Sequence, residues 1–240
     1  MKKIIVIVFA LIFSLMPFID INAYGFGFKK NNNHQIPEIG FYDAILKENN
    51  AYYVGNKEKI YLTFDVGYDN GHLTKYLDIL KEENVQASFF VTGDFVKRFS
   101  PILKRIYDDH HLICNHSYAH KAINLMSEAE IRNDLEKLEM SYFDEIGQKM
   151  VKIFRPPEGQ FDEKSLKILC KLGYKTIFWS IAHVDWKASN DDALSSVINN
   201  LHDGAIILLH TVNTNNYENL RAIINHVRGL GYQFATVDEI

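Results

Sequence analysis

Residues 60–68 read IYLTFDVGY, a mostly apolar run that reaches Asp65 and is followed by a turn glycine, Gly67. The run predicts a buried strand over residues 60–64 with a carboxylate at its carboxyl end. Similar short runs follow at residues 87–91, 112–115, 152–154, 176–181, 205–209 and 233–236. Strands that alternate with helical segments predict a parallel sheet in an α/β domain. Periodicity alone leaves two architectures open, a closed barrel and an open doubly wound sheet.

The segments between these runs have the spacing of amphipathic helices. Apolar residues recur at positions i, i+3, i+4 and i+7 over residues 73–80 and again over residues 131–146. Ser127 begins a capping box at the start of the second helix, and Gly147 predicts its end. We expect each helix to cover one face of the sheet.

The composition describes an ordinary globular protein. The chain has 240 residues, of which 47% are hydrophobic and 23% charged, and its net charge is −4. These values exclude a disordered, collagen-like or disulfide-dense chain, and the length suits one large domain. Without a basic excess, electrostatic binding to nucleic acid or to an anionic membrane surface is not expected.

The amino terminus resembles an export signal. Lys2 and Lys3 precede an apolar run over residues 4–16, which is shorter than the about 20 residues that cross a membrane. Ala23 marks a cleavage point, although Ile21 departs from the small-residue pattern, so an uncleaved anchor is the alternative. Either reading predicts export, with a signal or anchor over residues 1–23, an arm over 24–57 and the domain over 58–240.

The chain contains two cysteines, Cys114 and Cys170. In an exported protein they can pair. Because each lies in an apolar stretch, where buried free thiols are common, unpaired cysteines are the favoured interpretation.

Polar or ionisable side chains follow five of the predicted strands. They are Asp65, His116, Arg155, Asp185 and His210. In a parallel α/β architecture the carboxyl ends of the strands lie on one face, where active sites form. A single such residue is as readily a helix cap or a surface side chain, but five together predict an active site.

His116 and His120 are four residues apart. On a helix this spacing places both imidazoles on one face, where they can chelate one metal ion. The alternative is a pair of surface or capping histidines. Ser117 stands where a zinc-protease helix has its glutamate base, so the pair is not of that type.

Together these residues suit metal-assisted hydrolysis of an amide. Asp65 is the expected base for the attacking water, and Arg155 is expected to orient it and keep it ionised. His210, held by Asp185, is expected to protonate the departing amine. Backbone N–H groups near Glu158 are expected to help hold the oxyanion.

The motifs resemble those of the polysaccharide deacetylase (NodB homology) family. In chain order they are Thr63-Phe64-Asp65, His116-Ser117-x-x-His120, Arg155-Pro156-Pro157-x-Gly159, Asp185-Trp186 and Leu209-His210. The resemblance covers about residues 58–240 and implies a single-domain deformed (β/α) barrel with parallel strands. It also implies the same roles: Asp65 as base, Arg155 orienting it, His116 and His120 as ligands of a divalent metal, preferably zinc, Asp185 beside the acid His210, and Trp186 in the substrate wall.

One position departs from the family pattern. The residue after the first aspartate is usually a second aspartate that ligates the metal, and here it is Val66. A valine coordinates nothing, so the expected alternatives are a metal held weakly with waters completing its shell and a metal that is dispensable.

The finer pattern resembles the delta-lactam-biosynthetic de-N-acetylases of spore-forming bacteria. It includes the Gly67-Tyr68-Asp69-Asn70-Gly71 run, and we expect Tyr68 and Glu158 to contact substrate. The resemblance implies deacetylation of N-acetylmuramic acid in spore-cortex peptidoglycan outside the cytoplasm, at the cell wall or in the spore intermembrane space, with glycan strands as the partner. A deacetylase of chitin-like or other acylated glycans and a catalytically dead glycan-binding protein are the alternatives.

Overall fold

The computed structural model describes residues 24–27, 33–183, 193–211 and 214–240. The strands are β1 Tyr24–Gly25, β2 Ala51–Tyr52, β3 Lys59–Val66, β4 Ser88–Val91, β5 Leu112–Asn115, β6 Ile153–Phe154, β7 Gln160–Phe161, β8 Lys175–Ile177, β9 Ile181–Ala182, β10 Ile206–His210 and β11 Gln233–Ala235. The helices are α1 Tyr42–Glu48, α2 Leu73–Glu82, α3 Gly93–Arg98, α4 Ser100–Asp108, α5 Glu128–Ile146, α6 Glu163–Lys171, α7 Ala193–Ile198 and α8 Thr214–Gly229. Short 3-10 helices span Ile123–Leu125, Pro157–Gly159 and Val237–Glu239.

Nine of these strands form one sheet in the order β2-β8-β6-β5-β4-β3-β10-β9, with β11 also paired to β3. Every ladder between its strands is parallel. The parallel sheet predicted from the alternating pattern is therefore confirmed, and the carboxyl ends of its strands share one edge.

The two ends of the sheet meet along residues 175–182. β8 pairs with β2 and β6, whereas β9, which follows after three intervening residues, pairs with β10. Phe178 N donates to Tyr52 O and Ser180 N donates to Ile206 O, which links both ends through one segment. The sheet is therefore curled into the deformed barrel that the resemblance implied. The single strand predicted over residues 176–181 is wrong, because the chain turns there from one end of the sheet to the other.

The curled sheet separates two apolar layers. Successive residues of β3 alternate between them: Tyr61 packs with Phe90 and Ile206 on the face without helices, whereas Leu62 packs with residues of the surrounding helices on the other. Asp65 is four residues after Tyr61, so its side chain projects to the same face, the inner face of the curled sheet. Val66 projects to the same face as Leu62 and is buried, 1% exposed, in the outer layer between the sheet and the helices.

Local signals in the sequence explain the ends of α5. Ser127 Oγ accepts from Glu130 N, and the Glu130 carboxylate accepts from Ser127 N at 2.8 Å, so the predicted capping box is confirmed. Gly147 ends the helix with φ 76°, a left-handed conformation that glycine adopts without a Cβ penalty. Four predicted apolar positions of this helix are buried: Ile131, Leu135, Leu138 and Tyr142.

The segment predicted as an arm over residues 24–57 packs against the rest of the fold where it is described. β1 pairs with β7, and Phe26, 7% exposed, stacks on Phe178 with ring centroids 4.5 Å apart. β2 belongs to the main sheet. The apolar side chains of this segment thus join the hydrophobic cluster that contains Phe161 and Phe178, although the sequence showed no strong period there.

Both cysteines are free, as favoured from the sequence. Cys114 is buried, but Cys170 is exposed rather than buried because it lies on the outer side of α6. Among the described helices, none combines the length and the apolar character that crossing a bilayer requires.

Candidate active site

Neighbouring strands bring Asp65 and His210 side by side. Asp65 is the penultimate residue of β3, His210 is the last residue of β10, and the two are direct partners in the parallel ladder. Partnered residues of a parallel pair project to the same face of the sheet. The predicted base and the predicted acid therefore lie together at the carboxyl edge of the barrel.

Arg155 makes an ion pair with Asp65 beneath this edge. Its Nη1 donates to Asp65 Oδ1 at 2.7 Å, and its side chain is 0% exposed. Nε and Nη2 donate to the carbonyl oxygens of Ile177 and Phe178 at 3.1 and 3.2 Å. The guanidinium carbon also lies 4.0 Å from the Phe90 ring centroid. These contacts leave the guanidinium one orientation, so Asp65 is held in place.

The electrostatics keep Asp65 ionised. Burial opposes its charge, but the nearby Arg155 guanidinium favours the carboxylate and donates to it directly. The balance holds the pKa of Asp65 below its ordinary value. A carboxylate ionised at neutral pH suits the expected role as a base.

His116 is neutral and has a defined tautomer. Its Nδ1–H donates to the carbonyl of Arg155 at 2.9 Å, which leaves the lone pair on Nε2. Burial lowers the pKa of His116 to about 4, despite the nearby Asp65 carboxylate. A buried neutral imidazole whose second nitrogen is tied to a carbonyl is the usual arrangement of a metal-ligating histidine.

His120 lies beside His116, with ring centroids 5.0 Å apart and planes at 72°. The two histidines do not lie on a helix, so the predicted helical spacing is wrong in its local geometry. Residues 116–120 form a loop in which Ser117 and His120 have φ of 69° and 50°. Side-chain acceptors take the backbone N–H groups of this loop, which prevents a helical turn from forming.

The donor atoms fit a divalent cation bound by the two imidazoles. The Nε2 lone pair of His116 faces Asp65 Oδ2 at 3.6 Å, and two acceptors in this arrangement are stabilised by a cation between or beside them. Within the described part of the chain, no cluster of three or more His, Cys, Asp or Glu residues is arranged to hold a metal. Val66, buried in the outer layer, supplies no ligand. His116 and His120 are therefore the residues that would hold such a cation, and oxygen atoms of water or substrate would fill its other positions.

The predicted substrate contacts lie at the rim of this edge or outside the described residues. Tyr68 is 49% exposed and meets Phe99 edge-on at 5.6 Å. Glu158, with φ 56°, is exposed, and its carboxylate accepts from Gln160 Nε2. Asp185 and Trp186 both lie outside the described residues.

Three residues of the site were not assigned a role from the sequence. Trp179 lies 5.8 Å from the guanidinium of Arg155 and packs against Gly159, where a Cβ would come within 2.8 Å of the indole. Asn115 and Asp134 bind the loop of the two histidines. Trp179 lies in the apolar run predicted as a strand over residues 176–181, whereas Asp134 carried no signal, since it is distant in sequence and lies inside a helix.

Comparison with known proteins agrees with this geometry. The sequence model of the family described as polysaccharide deacetylase matches residues 53–177. The peptidoglycan-N-acetylmuramic acid deacetylase PdaA of Bacillus subtilis is 41% identical over 221 residues, which cover 89% of this chain and 84% of that protein. Its solved structure, a family 4 carbohydrate esterase, aligns with a TM-score of 0.86 at 39% identity, over 90% of this chain and 96% of that one.

Two other members of the family match at lower identity. A peptidoglycan-N-acetylglucosamine deacetylase of Bacillus cereus is 34% identical and covers 76% of this chain and 68% of its own length. A family 4 acetyl xylan esterase from Clostridium thermocellum, solved with a cobalt ion, aligns with a TM-score of 0.67 at 30% identity, over 75% and 89% of the two chains. Deacetylases of this family are in general metal-dependent. The chain belongs to the polysaccharide deacetylase family of enzymes.

Proposed function

We propose that the protein removes the N-acetyl group of N-acetylmuramic acid in peptidoglycan glycan strands, on the way to muramic delta-lactam in the spore cortex. The observation that carries the reaction is the buried contact of Arg155 with Asp65, with His116 and His210 on either side of the carboxylate. In the reaction, water adds to the amide carbonyl, acetate leaves and a free amine remains on the sugar.

Asp65 is the proposed base. Its carboxylate accepts a proton from the attacking water, and Arg155 holds it in the ionised state and in one orientation. Because Arg155 is itself fixed by two backbone carbonyls, the base does not turn away from the substrate.

His210 is the proposed acid, and His116 and His120 are the proposed metal ligands. His210 lies beside Asp65 in the sheet and protonates the amine as the C–N bond breaks, with Asp185 as its proposed partner. The neutral imidazole of His116 presents Nε2, and that of His120 lies next to it. A divalent metal, zinc by preference, would acidify water and polarise the carbonyl there when bound.

The choice of substrate is supported by the comparisons and by the amino terminus. The muramic acid deacetylase matches this chain at 41% identity over 89% of its residues, whereas the glucosamine deacetylase matches it at 34% identity over 76% of its residues. The basic and apolar start of the chain supports export, which brings the enzyme to cell-wall glycan. Trp186, Tyr68 and Glu158 are the proposed contacts to the sugar.

The test uses peptidoglycan glycan strands stripped of stem peptides, with added Zn²⁺ or with chelator, and reads the products by mass spectrometry. Loss of one acetyl group from muramic acid, or lactam formation, supports the proposal. Asp65→Asn keeps the size of the side chain but removes the base, so it is expected to abolish acetate release while the protein remains folded. Loss of activity with chelator and its return with Zn²⁺ support the metal.

Parallel reactions with chitin-like oligomers and acetylated xylan separate the alternatives. If acetyl groups are lost from these glycans but not from peptidoglycan, the protein is a deacetylase of another substrate class. Glycan binding without acetate release under any metal condition shows a binding protein, and either outcome overturns the proposal.

A further inference from the structure

The loop between the two histidines is held by side chains rather than by its own backbone. Ser117 N donates to Asn115 Oδ1 at 2.8 Å. Tyr118 N and Ala119 N donate to the two carboxylate oxygens of Asp134 at 2.8 and 3.0 Å. Three successive N–H groups between His116 and His120 are thus bound by two buried residues.

Asp134 has no evident purpose in its own helix. It lies in the second turn of α5, where aspartate is a weak helix former, and the helix is already capped at both ends by other residues. Asp134 is 7% exposed, and no cation pairs with it within 4.0 Å among the described residues. Burial of a carboxylate is unfavourable unless its oxygens are satisfied, and both oxygens are satisfied by this loop.

The opposite side of the loop is fixed by the start of α3. Gly93 N donates to Tyr118 O at 3.2 Å. A Cβ on Gly93 would come within 2.4 Å of the Tyr118 ring and 2.7 Å of its carbonyl oxygen. The loop is therefore held between α3 and Asp134. These contacts keep Ser117 and His120 in the left-handed backbone conformation, which residues other than glycine rarely adopt.

We infer that Asp134 is a positioning residue for the metal site: its carboxylate holds the backbone of Tyr118 and Ala119 so that the imidazoles of His116 and His120 converge on one divalent cation. The inference rests on the proposed role of these histidines. Without the carboxylate, the two N–H groups lose their acceptors, and the loop is free to relax its left-handed residues and to separate the rings.

The test measures metal binding directly, with Co²⁺ as the probe. Asp134→Asn keeps the shape but replaces one acceptor by a donor, and Asp134→Ala removes both. We expect the Co²⁺ dissociation constant to rise about 10- to 100-fold, as is typical when a group that supports metal ligands is removed, and the visible Co²⁺ spectrum to change. Thermal unfolding without metal is measured in parallel.

Asp109 is the matched control. It is a partly buried carboxylate that pairs with Lys81 at 2.8 Å and Arg105 at 3.2 Å, just before β5 begins and thus at the far end of that strand from the loop. Asp109→Asn is expected to lower thermal stability and to leave the Co²⁺ dissociation constant within about twofold of the wild type.

The outcomes separate the inference from the proposed function. If the Asp134 variants bind Co²⁺ as the wild type does, or if Asp109→Asn weakens binding equally, the positioning role is overturned while the deacetylase proposal stands. If the His116→Ala and His120→Ala variants bind Co²⁺ as tightly as the wild-type protein does, the proposed ligands are wrong, and the inference fails with them.

Discussion

Arg155 is the residue whose replacement tests the site most directly. Its guanidinium is 0% exposed and makes three hydrogen bonds, one of them to Asp65, whose side chain is only 10% exposed. Arg155→Met keeps much of the side-chain volume but leaves Asp65 buried without its cation. Removal of one partner of a buried ion pair costs about 3–5 kcal/mol, so we predict a fall of this size in the free energy of unfolding.

The same substitution is predicted to change the pH dependence of activity. Burial raises the pKa of Asp65, and the charge and hydrogen bond of Arg155 act in the opposite direction. Without Arg155 the carboxyl is protonated at higher pH, so the acidic limb of the kcat/KM profile moves towards alkaline pH. At neutral pH, activity falls about 100-fold or more, the range typical for loss of a general base. Arg155→Lys keeps the charge and is expected to move the limb less.

The assay combines urea unfolding at neutral pH with acetate release from glycan strands across the pH range. Arg132→Met is the matched control, since Arg132 is 46% exposed and lies 3.8 Å from Glu128 on the surface of α5. Its free energy of unfolding is expected to change by less than about 0.5 kcal/mol. An Arg155→Met protein with the wild-type acidic limb and wild-type stability would refute the role of Arg155.

Three further substitutions test other parts of the structure. Burial lowers the pKa of His111 from 6.5 to about 4, so the unfolded chain binds more protons between these values, and stability falls by up to about 3 kcal/mol as the pH drops through them. His111→Asn is expected to reduce this dependence of stability on pH, as measured by urea unfolding at several pH values. Gly93→Ala, which brings a Cβ against Tyr118, lowers the melting temperature and acetate release together. Val66→Asp buries a carboxylate in the outer apolar layer and lowers stability by more than about 3 kcal/mol; a gain in Co²⁺ affinity at unchanged stability would contradict the position of this side chain.

Features carried by short stretches of sequence were predictable. The strand before Asp65, the capping box at Ser127 and the glycine stop at Gly147 depend on residues within a few positions of each other. The gathering of Asp65, Arg155 and His210 also followed, because parallel strands deliver their carboxyl ends to one edge whatever lies between them.

Features that depend on distant partners were not predictable. The spacing of His116 and His120 favoured a helix, but Asp134, fourteen residues beyond His120, takes the N–H groups that a helix requires. Residues 176–181 have the pattern of one buried strand, but the ends of the curled sheet divide them between two pairings. In both cases a long-range hydrogen bond overrides a local preference, and nothing in the local pattern indicates it.

The closure of the barrel and the orientation of the base depend on the same few residues. The carbonyls that accept from Arg155 belong to Ile177 and Phe178, at the point where the chain leaves β8 for β9. Phe178 N is bonded to Tyr52 of β2, so its peptide groups are tied to one end of the sheet while they hold the guanidinium. A shift of the backbone at Ile177 and Phe178 would therefore move Arg155, and with it Asp65. This explains why so polar a side chain is fully buried at the irregular join of the sheet: the carbonyls of Ile177 and Phe178 accept from its guanidinium and hold it against the base.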